Sequence, residues 1–411
     1  MKKKIFVRAP VLSQSGYGEQ SRFALRALRS REDIFDIYVQ PIPWGQTGWV
    51  WEDSEFRRWL DAKIAETQIA INQKTLQPEI SLQITIPNEF QKICPINIGY
   101  TAGIETTKVA TNWVAKGAEM NKILVVSNHA KNTYVGTTVQ AQNQQTGETV
   151  AYNLETPVEV VWENTIRAEP EKIDQLELDY DFNFLMVSQF SPRKNFVNSL
   201  KWWVEEFIDQ EVGLVVKTNM TGNSRGDLEV TSDLLNNIMS NYPDRKCKVY
   251  LLHGDLSSGQ MTWLYGHDKI KSLINIAHGE GFGLPMFEAA REGMPVITIG
   301  WSGQVDFLCH NGKDYFESVE FTLQPVQNEA VWKGVIEPDS MWAFAEQGSY
   351  KMSLRRAYKN IEKLEERSLE LKEIIDSKFS DEVLFKLFVD NVLGFDSSMI
   401  EEKEEEVLEF E

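Results

Sequence analysis

A chain of 411 residues is about two to three ordinary domains long. Its 42% hydrophobic, 11% aromatic and 25% charged residues are globular values that exclude a fibrous or wholly disordered protein. With 42 Lys and Arg against 61 Asp and Glu the net charge is −19, a field that repels nucleic acid and anionic membrane in the absence of a local basic patch.

Cys94, Cys247 and Cys309 stand far apart, so neither a disulfide framework nor a zinc knuckle is available, and they suit a reducing cytoplasm. The basic start Met1-Lys2-Lys3-Lys4 meets Arg8 and Pro10 before a signal-peptide core can form. No apolar run approaches the roughly 18 residues of a membrane span. A cytoplasmic protein without a membrane span is expected.

In chain order, Lys4-Ile5-Phe6-Val7-Arg8 reads as a buried first strand, followed by a glycine-bearing turn at residues 13–19 and a helix with Phe23, Leu25, Ala27 and Leu28 among its inward positions. Short apolar runs at residues 34–39, 81–86, 96–100 and 123–126, with helix-compatible stretches between several of them, predict a parallel sheet. A second series of runs occupies residues 182–187, 212–217, 249–252, 273–276 and 295–299, with helices expected over 196–207, 227–239 and 284–292. The two βα series join near residues 169–179. From about residue 339 the composition turns helical, with residues 353–371 rich in Lys, Glu, Leu and Arg, and Ser380-Asp381 caps a last helix ending at Gly394. The glutamate-dense residues 400–411 read as a solvated tail.

The most informative stretch is residues 276–296, Ile-Ala-His-Gly-Glu-Gly-Phe-Gly-Leu-Pro-Met-Phe-Glu-Ala-Ala-Arg-Glu-Gly-Met-Pro-Val, which reads as strand, glycine loop, helix, turn, strand. Gly281 and Gly283 let backbone N–H groups approach a ligand, and Pro285 fits the first turn of a helix whose N-terminus attracts anions. A phosphate or diphosphate belongs there. Glu280 lies in the loop and Glu288 about one turn into the helix, so both carboxylates can accept hydrogen bonds from ligand hydroxyls. The competing reading is an ordinary βα loop with two surface glutamates.

The whole segment resembles retaining glycosyltransferases of the two-Rossmann-domain (GT-B) fold, in the group often called family 4, whose hallmark is E-G-F-G-L-P-x-x-E-A-x-x-x-G-x-P-V; Glu280 to Glu288 reproduces its paired glutamates. Residues 187–195 resemble the family's G-R-x-x-x-x-K-N/G segment, with Lys194 at the lysine and Gln189 in place of the usual arginine. Arg193 offers the missing charge, and its planar fork beside the Lys194 ammonium suits a diphosphate leaving group; taken alone, Arg-Lys beside Pro reads as a solvated turn. Lys217 stands where relatives often carry lysine or threonine. Residues 256–265 resemble the segment on which the nucleotide base rests, and residues 301–308 a glycine-turn helix start. Gly16-Tyr17-Gly18 matches the glycine loop after the first strand. Residues 99–113 and 127–131 resemble the acceptor side, with Glu105 at a recurrent acidic position and His129 as the candidate histidine; the other reading of His129 is a structural residue at a helix start.

The resemblance implies an α/β GT-B fold: an N-terminal Rossmann-like acceptor-side domain over residues 1–175, a C-terminal nucleotide-sugar-binding domain over 176–378, the two facing a central cleft, a crossover helix at 379–395 and an acidic tail at 396–411. It implies a retaining, metal-independent transferase without a cofactor, taking a UDP-, GDP- or ADP-sugar. Glu280, Arg193 and Lys194 would be catalytic. Gly281, Phe282, Gly283, Leu284, Glu288, Lys217 and Gly16 would bind the donor, with Glu288 on the ribose and Glu280 on the sugar. The acceptor is open: a saccharide, lipid-linked or small molecule. Two alternatives stand beside this reading. A catalytically silent nucleotide-sugar-binding protein is favoured slightly by Gln189 and by the lack of a firmly placed histidine. A transferase acting on DNA bases in a phage-like setting draws on the tail, which resembles the acidic-hydrophobic peptides by which T4-like phage proteins engage their sliding clamp and which is also a candidate docking segment for a protein partner. Asp179-Tyr180-Asp181 spells a metal-binding D-x-D but precedes a strand, as a solvated turn does. Gly16-Tyr17-Gly18 lacks the third glycine of a dinucleotide fingerprint, which disfavours a dehydrogenase.

Overall fold

Runs such as Ile5-Phe6-Val7 and Leu214-Val215-Val216 are apolar on both sides of the pleat, a pattern that suits a strand covered on two faces. The computed structural model, which describes residues 2–143, 147–394 and 408–410, places both runs on interior strands of parallel sheets, with Ile5, Val7, Leu214 and Val216 fully buried. The chain divides into two compact units. The first comprises Met1–Asn164, Val326–Ser340 and Phe379–Glu411; the second comprises Thr165–Pro325 and Met341–Lys378.

The first unit runs β1 (Lys3–Ala9), α1 (Gly16–Arg29), β2 (Phe35–Pro41), α2 (Glu55–Asn72), β3 (Ile80–Ile84), β4 (Ile96–Thr101), α3 (Thr111–Ala118), β5 (Lys122–Val125), α4 (Asn128–Gly136), β6 (Thr138–Asn143), β7 (Thr149–Asn153) and β8 (Val158–Val160). Its sheet is ordered β2-β1-β3-β4-β5-β8 with every pair parallel. The glycine turn expected at residues 13–19 is tighter than that: α1 already begins at Gly16, capped by the Ser15 hydroxyl, which accepts from Gly18 N–H at 3.1 Å. A Cβ at Gly18 would lie 2.0 Å from the Ser13 carbonyl oxygen, so the close approach requires glycine.

The second unit runs β9 (Asn183–Val187), α5 (Phe196–Phe207), β10 (Gly213–Thr218), α6 (Arg225–Met239), β11 (Lys248–His253), α7 (Ser258–Tyr265), β12 (Ile270–Asn275), α8 (Leu284–Arg291), β13 (Val296–Ile299) and α9 (Val305–Leu308). After the short β14 (Cys309–His310) and β15 (Lys313–Asp314) come β16 (Glu317–Val319), β17 (Phe321–Pro325), β18 (Met341–Ala345), α10 (Gln347–Lys359) and α11 (Ile361–Lys378). The sheet is ordered β11-β10-β9-β12-β13-β16, again wholly parallel. Its core gathers Phe184, Trp203, Phe207 and Tyr350 between the sheet and α5 and α10.

The last helix, α12 (Asp381–Leu393), belongs to the first unit. Its Phe385 and Phe388 meet Phe23 of α1 at ring separations of 5.8 and 5.9 Å. Asn164 fastens its start, donating to the Phe379 carbonyl at 3.1 Å and to Asp381 Oδ1 at 2.8 Å. Ser380 caps it as the sequence predicts, and it ends at Gly394. Among the described residues no helix is long and apolar enough to cross a membrane.

Three features depart from the sequence reading. The helical stretch around residues 353–371 is two helices, α10 and α11, divided at Asn360, whose φ of −131° and ψ of 38° leave the helical region and whose side-chain amide donates to the Arg356 carbonyl at the end of α10. The tail expected to be solvated ends in a short strand, β19 (Leu408–Phe410), paired antiparallel with β6 from Leu408 opposite Asn143 to Phe410 opposite Ala141; residues 395–407 lie outside the described residues. Finally, the β17–β18 hairpin, a second-unit element, carries residues 326–340 into the first unit. There Val335 joins the buried cluster of Ile104, Val109, Trp113 and Tyr134, and Lys108 pairs with Asp339.

This excursion generates a prediction. Val335→Asp would place an unpaired carboxylate among apolar side chains and is expected to destabilise the protein by on the order of 3 kcal/mol. Thermal unfolding and limited proteolysis, with faster cleavage within residues 326–340, check it; an unchanged melting temperature would show that the segment's packing contributes nothing.

Candidate functional site

In a parallel sheet whose strand order reverses, the loops at the carboxyl ends of the two strands flanking the reversal splay apart and leave a ligand-sized opening. The second unit reverses between β9 and β12. The loop after β9 carries Arg193 and Lys194, and the loop after β12 carries Glu280. The fold therefore brings Glu280 to two adjacent residues that lie 87 and 86 positions before it.

Glu280 is 5% exposed. Lys194 Nζ donates to its Oε1 at 2.6 Å and its Oε2 at 2.7 Å, Arg193 Nη1 to Oε2 at 3.2 Å, and Asn275 Nδ2 to Oε1 at 3.3 Å. Burial alone would push this carboxyl up; the charges of Lys194 and Arg193 and the bonds from Lys194 and Asn275 outweigh it and hold Glu280 down at about 2. Arg193 also donates to the Gly279 carbonyl at 2.8 Å, which fixes its fork against the loop.

The backbone around this cluster is over-determined. The Ser302 hydroxyl accepts from Glu280 N–H at 2.9 Å, and Gly303 N–H donates to the Glu280 carbonyl at 2.9 Å. Ser302 holds a left-handed φ of 77°. A Cβ on Gly303 would lie 1.9 Å from the Gly281 carbonyl oxygen, so only glycine permits this approach. On the other side Asn195, at φ 49°, starts α5 and donates to the Ile276 carbonyl at 3.2 Å; asparagine tolerates that conformation better than most residues.

His278 links the site to the hairpin. Its backbone N–H donates to the Arg193 carbonyl at 2.9 Å, and its Nδ1 lies 2.6 Å from the Ala343 carbonyl, which requires the proton on that nitrogen. The ring stacks on Trp342 with centroids 4.8 Å apart, and burial lowers its basicity against the pull of the Ala343 bond. Asn275, His278, Ser302 and Gly303 all support Glu280 or Arg193, and none was singled out for that role from the sequence. Their common signal is position at the carboxyl ends of β12 and β13, which strand assignment alone makes readable.

α8 opens at Gly283, φ 97°, and its first turn is held by Met286 and Phe287 N–H donating to the Gly283 carbonyl. Phe282 is buried against Phe287 and Phe307, with ring separations of 5.3 and 5.1 Å, so its side chain anchors the loop to the core and only its backbone faces outward chemistry. Gly281 is buried and Leu284 half-buried. One turn on, Glu288 accepts from the Tyr265 hydroxyl at 3.1 Å. Lys217, at the end of β10, has its basicity lowered by burial, opposed by the carboxylates of Asp255 and Glu288. Lys217, Asp255, Tyr265 and Glu288 thus form a second polar group, in which Tyr265 and Asp255 extend the expected set.

The remaining candidates fall elsewhere. Gln189 is exposed. Gly16, Glu105 and His129 belong to the first unit. His129 is held neutral at about 4 by burial, against hydrogen bonds to the backbone of Ile104 and Thr106 on either side of Glu105. Asp179 and Asp181 are exposed and pair with different lysines, Lys248 and Lys269, each at 3.0 Å. Among the described residues no group of three or more His, Cys, Asp and Glu side chains could hold a metal ion.

The buried triad generates a pH prediction. The Glu280 carboxylate contributes stability fully above the ordinary glutamate value of about 4.3 and loses it only as pH falls toward about 2. Lys194→Met removes its shortest partner and leaves burial less opposed, so the variant is expected to melt lower than the parent at pH 7, with the deficit shrinking as pH falls below about 4. Melting temperatures from neutral to acid pH check this; a deficit independent of pH would contradict it.

No family model matches the chain, and no curated protein matches it. Solved structures do. Anabaena HepE in complex with UDP-glucose superposes with a TM-score of 0.58 at 10% identity, covering 95% of this chain and 100% of that one. Sucrose-phosphate synthase from Thermosynechococcus elongatus gives 0.59 at 12%, covering 95% and 98%. The E. coli trehalose-6-phosphate protein bound with UDP-2-fluoro glucose gives 0.57 at 10%, covering 96% and 100%. These similarities, with the two parallel α/β units and the return of α12 to the first, show that the chain has the GT-B glycosyltransferase fold.

Proposed function

We propose that the protein is a retaining glycosyltransferase that takes a sugar from a nucleotide diphosphate and passes it to an acceptor hydroxyl without a metal ion. The observation that carries the reading is the buried Glu280–Lys194–Arg193 cluster beside the N-terminus of α8, at the reversal of the second sheet. Two cations and a helix N-terminus suit a diphosphate, and they supply the charge that a divalent ion would otherwise provide. That Anabaena HepE and the E. coli trehalose-6-phosphate protein were solved with UDP-glucose and UDP-2-fluoro glucose makes UDP-glucose the first donor to test.

In this mechanism Glu288 holds the ribose hydroxyls, with the Tyr265 hydroxyl fixing its carboxylate. Arg193 and Lys194 take the diphosphate oxygens along with the backbone N–H groups of Gly281 to Gly283. The bond between the anomeric carbon and the diphosphate oxygen breaks with its electron pair going to the diphosphate. The acceptor oxygen bonds to the anomeric carbon on the face just vacated, and its proton passes to the departing diphosphate. Glu280 keeps both cations oriented and accepts from hydroxyls of the donor sugar. Sharing the cations with the leaving group costs less than recruiting them from water, since they are already held in place by Glu280.

UDP-glucose is expected to raise the melting temperature of the parent. Glu288→Ala should reduce that shift, whereas Glu280→Gln should chiefly lower turnover, by about a hundredfold or more. Turnover should survive excess EDTA, and proton NMR of the product should show the donor's anomeric configuration kept. Donor binding and turnover unchanged in both variants would overturn the site; loss of turnover in EDTA, restored by manganese, would overturn the metal-free mechanism; binding without turnover would select a silent nucleotide-sugar-binding protein.

A further inference from the structure

The segment after β2 carries Trp44, Trp49 and Trp51 within eight positions, a quarter of the 12 tryptophans in the chain. Trp49 is 57% and Trp51 84% exposed, a large apolar area to leave in water unless something covers it. We propose that this segment is a stacking shelf for the acceptor and that the acceptor is a neutral saccharide. The inference rests on the transferase reading above and names the substrate class for it.

The shelf is rigid. Gln14 N–H donates to the Gly48 carbonyl and Val50 N–H to the Leu12 carbonyl, both at 2.9 Å, and the Ser13 and Thr47 hydroxyls meet at 2.6 Å. The indole of Trp44 lies 4.3 Å from the Tyr17 ring, and the Tyr17 hydroxyl bonds Thr101 Oγ1 at 2.8 Å, at the carboxyl end of β4. Leu12, Ser13 and Gln14 follow β1, and the first sheet reverses between β1 and β3. The segment that carries the tryptophans therefore runs beside the rim on which a parallel sheet binds ligands.

Chemistry selects the occupant. A pyranose offers a flat C–H face that packs on an indole, with hydroxyls at its edge for neighbouring acceptors. Glu52 and Asp53, both exposed beside Trp51, are such acceptors. A nucleic-acid platform needs a cationic track beside its aromatics, and a peripheral membrane loop needs cations facing anionic headgroups. Here the cations are matched by carboxylates: Arg57 with Asp61 at 2.9 Å, Arg58 with Asp53 at 2.5 Å and Arg29 with Glu55 at 2.5 Å. A neutral sugar meets no repulsion from Glu52 and Asp53, whereas a phosphate backbone does.

The test titrates the full chain with maltotriose, cellotriose and chitotriose by calorimetry and indole fluorescence, in the parent and in a Trp49→Ala/Trp51→Ala variant, which removes only exposed rings and should fold. At least one trisaccharide is expected to bind, with affinity falling about tenfold or more in the variant while the UDP-glucose thermal shift stays unchanged. Binding of none of the three, or binding indifferent to both substitutions, overturns the proposal. So does tryptophan-dependent binding to phosphatidylglycerol vesicles or to a single-stranded oligonucleotide in place of the sugars. Loss of UDP-glucose binding by the parent, with saccharide binding intact, would overturn the donor reading and leave the shelf standing.

Discussion

A carboxylate as buried as Glu280 stays ionised only if cations are brought to it, and that requirement organises the second unit's functional end. Lys194 and Arg193 come from the loop after β9 and Asn275 from the end of β12. Once they are in place, the backbone on each side is committed. Gly303 must be glycine to approach Gly281, Ser302 accepts a left-handed conformation, and His278 is locked between Arg193 and the β18 backbone. Strained or glycine-only positions collected around one ion cluster are the pattern expected where geometry is held for chemistry rather than for stability.

In the proposed donor site the same cluster would let an acidic chain receive an anion. The formal charge of −19 opposes a diphosphate at long range, but screening limits that field to roughly 8 Å at physiological salt. At short range the proposed site presents an anion with a guanidinium, an ammonium and the first turn of α8. Glu280 partly neutralises the two half-buried cations and so holds them in place without a ligand. It also keeps their side-chain entropy spent in advance, the condition under which electrostatic catalysis is effective.

Much of this was legible in the sequence because parallel sheets announce themselves. Strands such as β1 and β10 carry continuous apolar runs, and α5 falls on the residues the pattern assigns, 196–207. The strand-glycine-helix grammar of residues 276–296 located the loop and both glutamates. Spacing cannot show that Glu280 and Lys194 form an ion pair, because their contact depends on β9 and β12 being neighbours in the sheet. It also missed the hairpin excursion of residues 326–340, since Val335 and Ile336 are isolated apolar residues without a period. For Phe282 the motif gives proximity to the loop but not the direction of the side chain, which packs into the aromatic cluster with Phe287 and Phe307 and leaves the backbone N–H as the group available to a donor. The tryptophan shelf was silent for a related reason: a Trp-rich loop reads as core until exposure is known.

Phosphorus NMR of UDP-glucose titrated with the protein tests most directly the claim that Arg193, Lys194 and the α8 terminus form a diphosphate site held by Glu280. Both phosphorus signals are predicted to shift on binding to the parent, and Arg193→Ala/Lys194→Ala is predicted to abolish those shifts. UDP-glucose bound with both phosphorus signals unmoved, or moved equally in the double variant, would contradict the account.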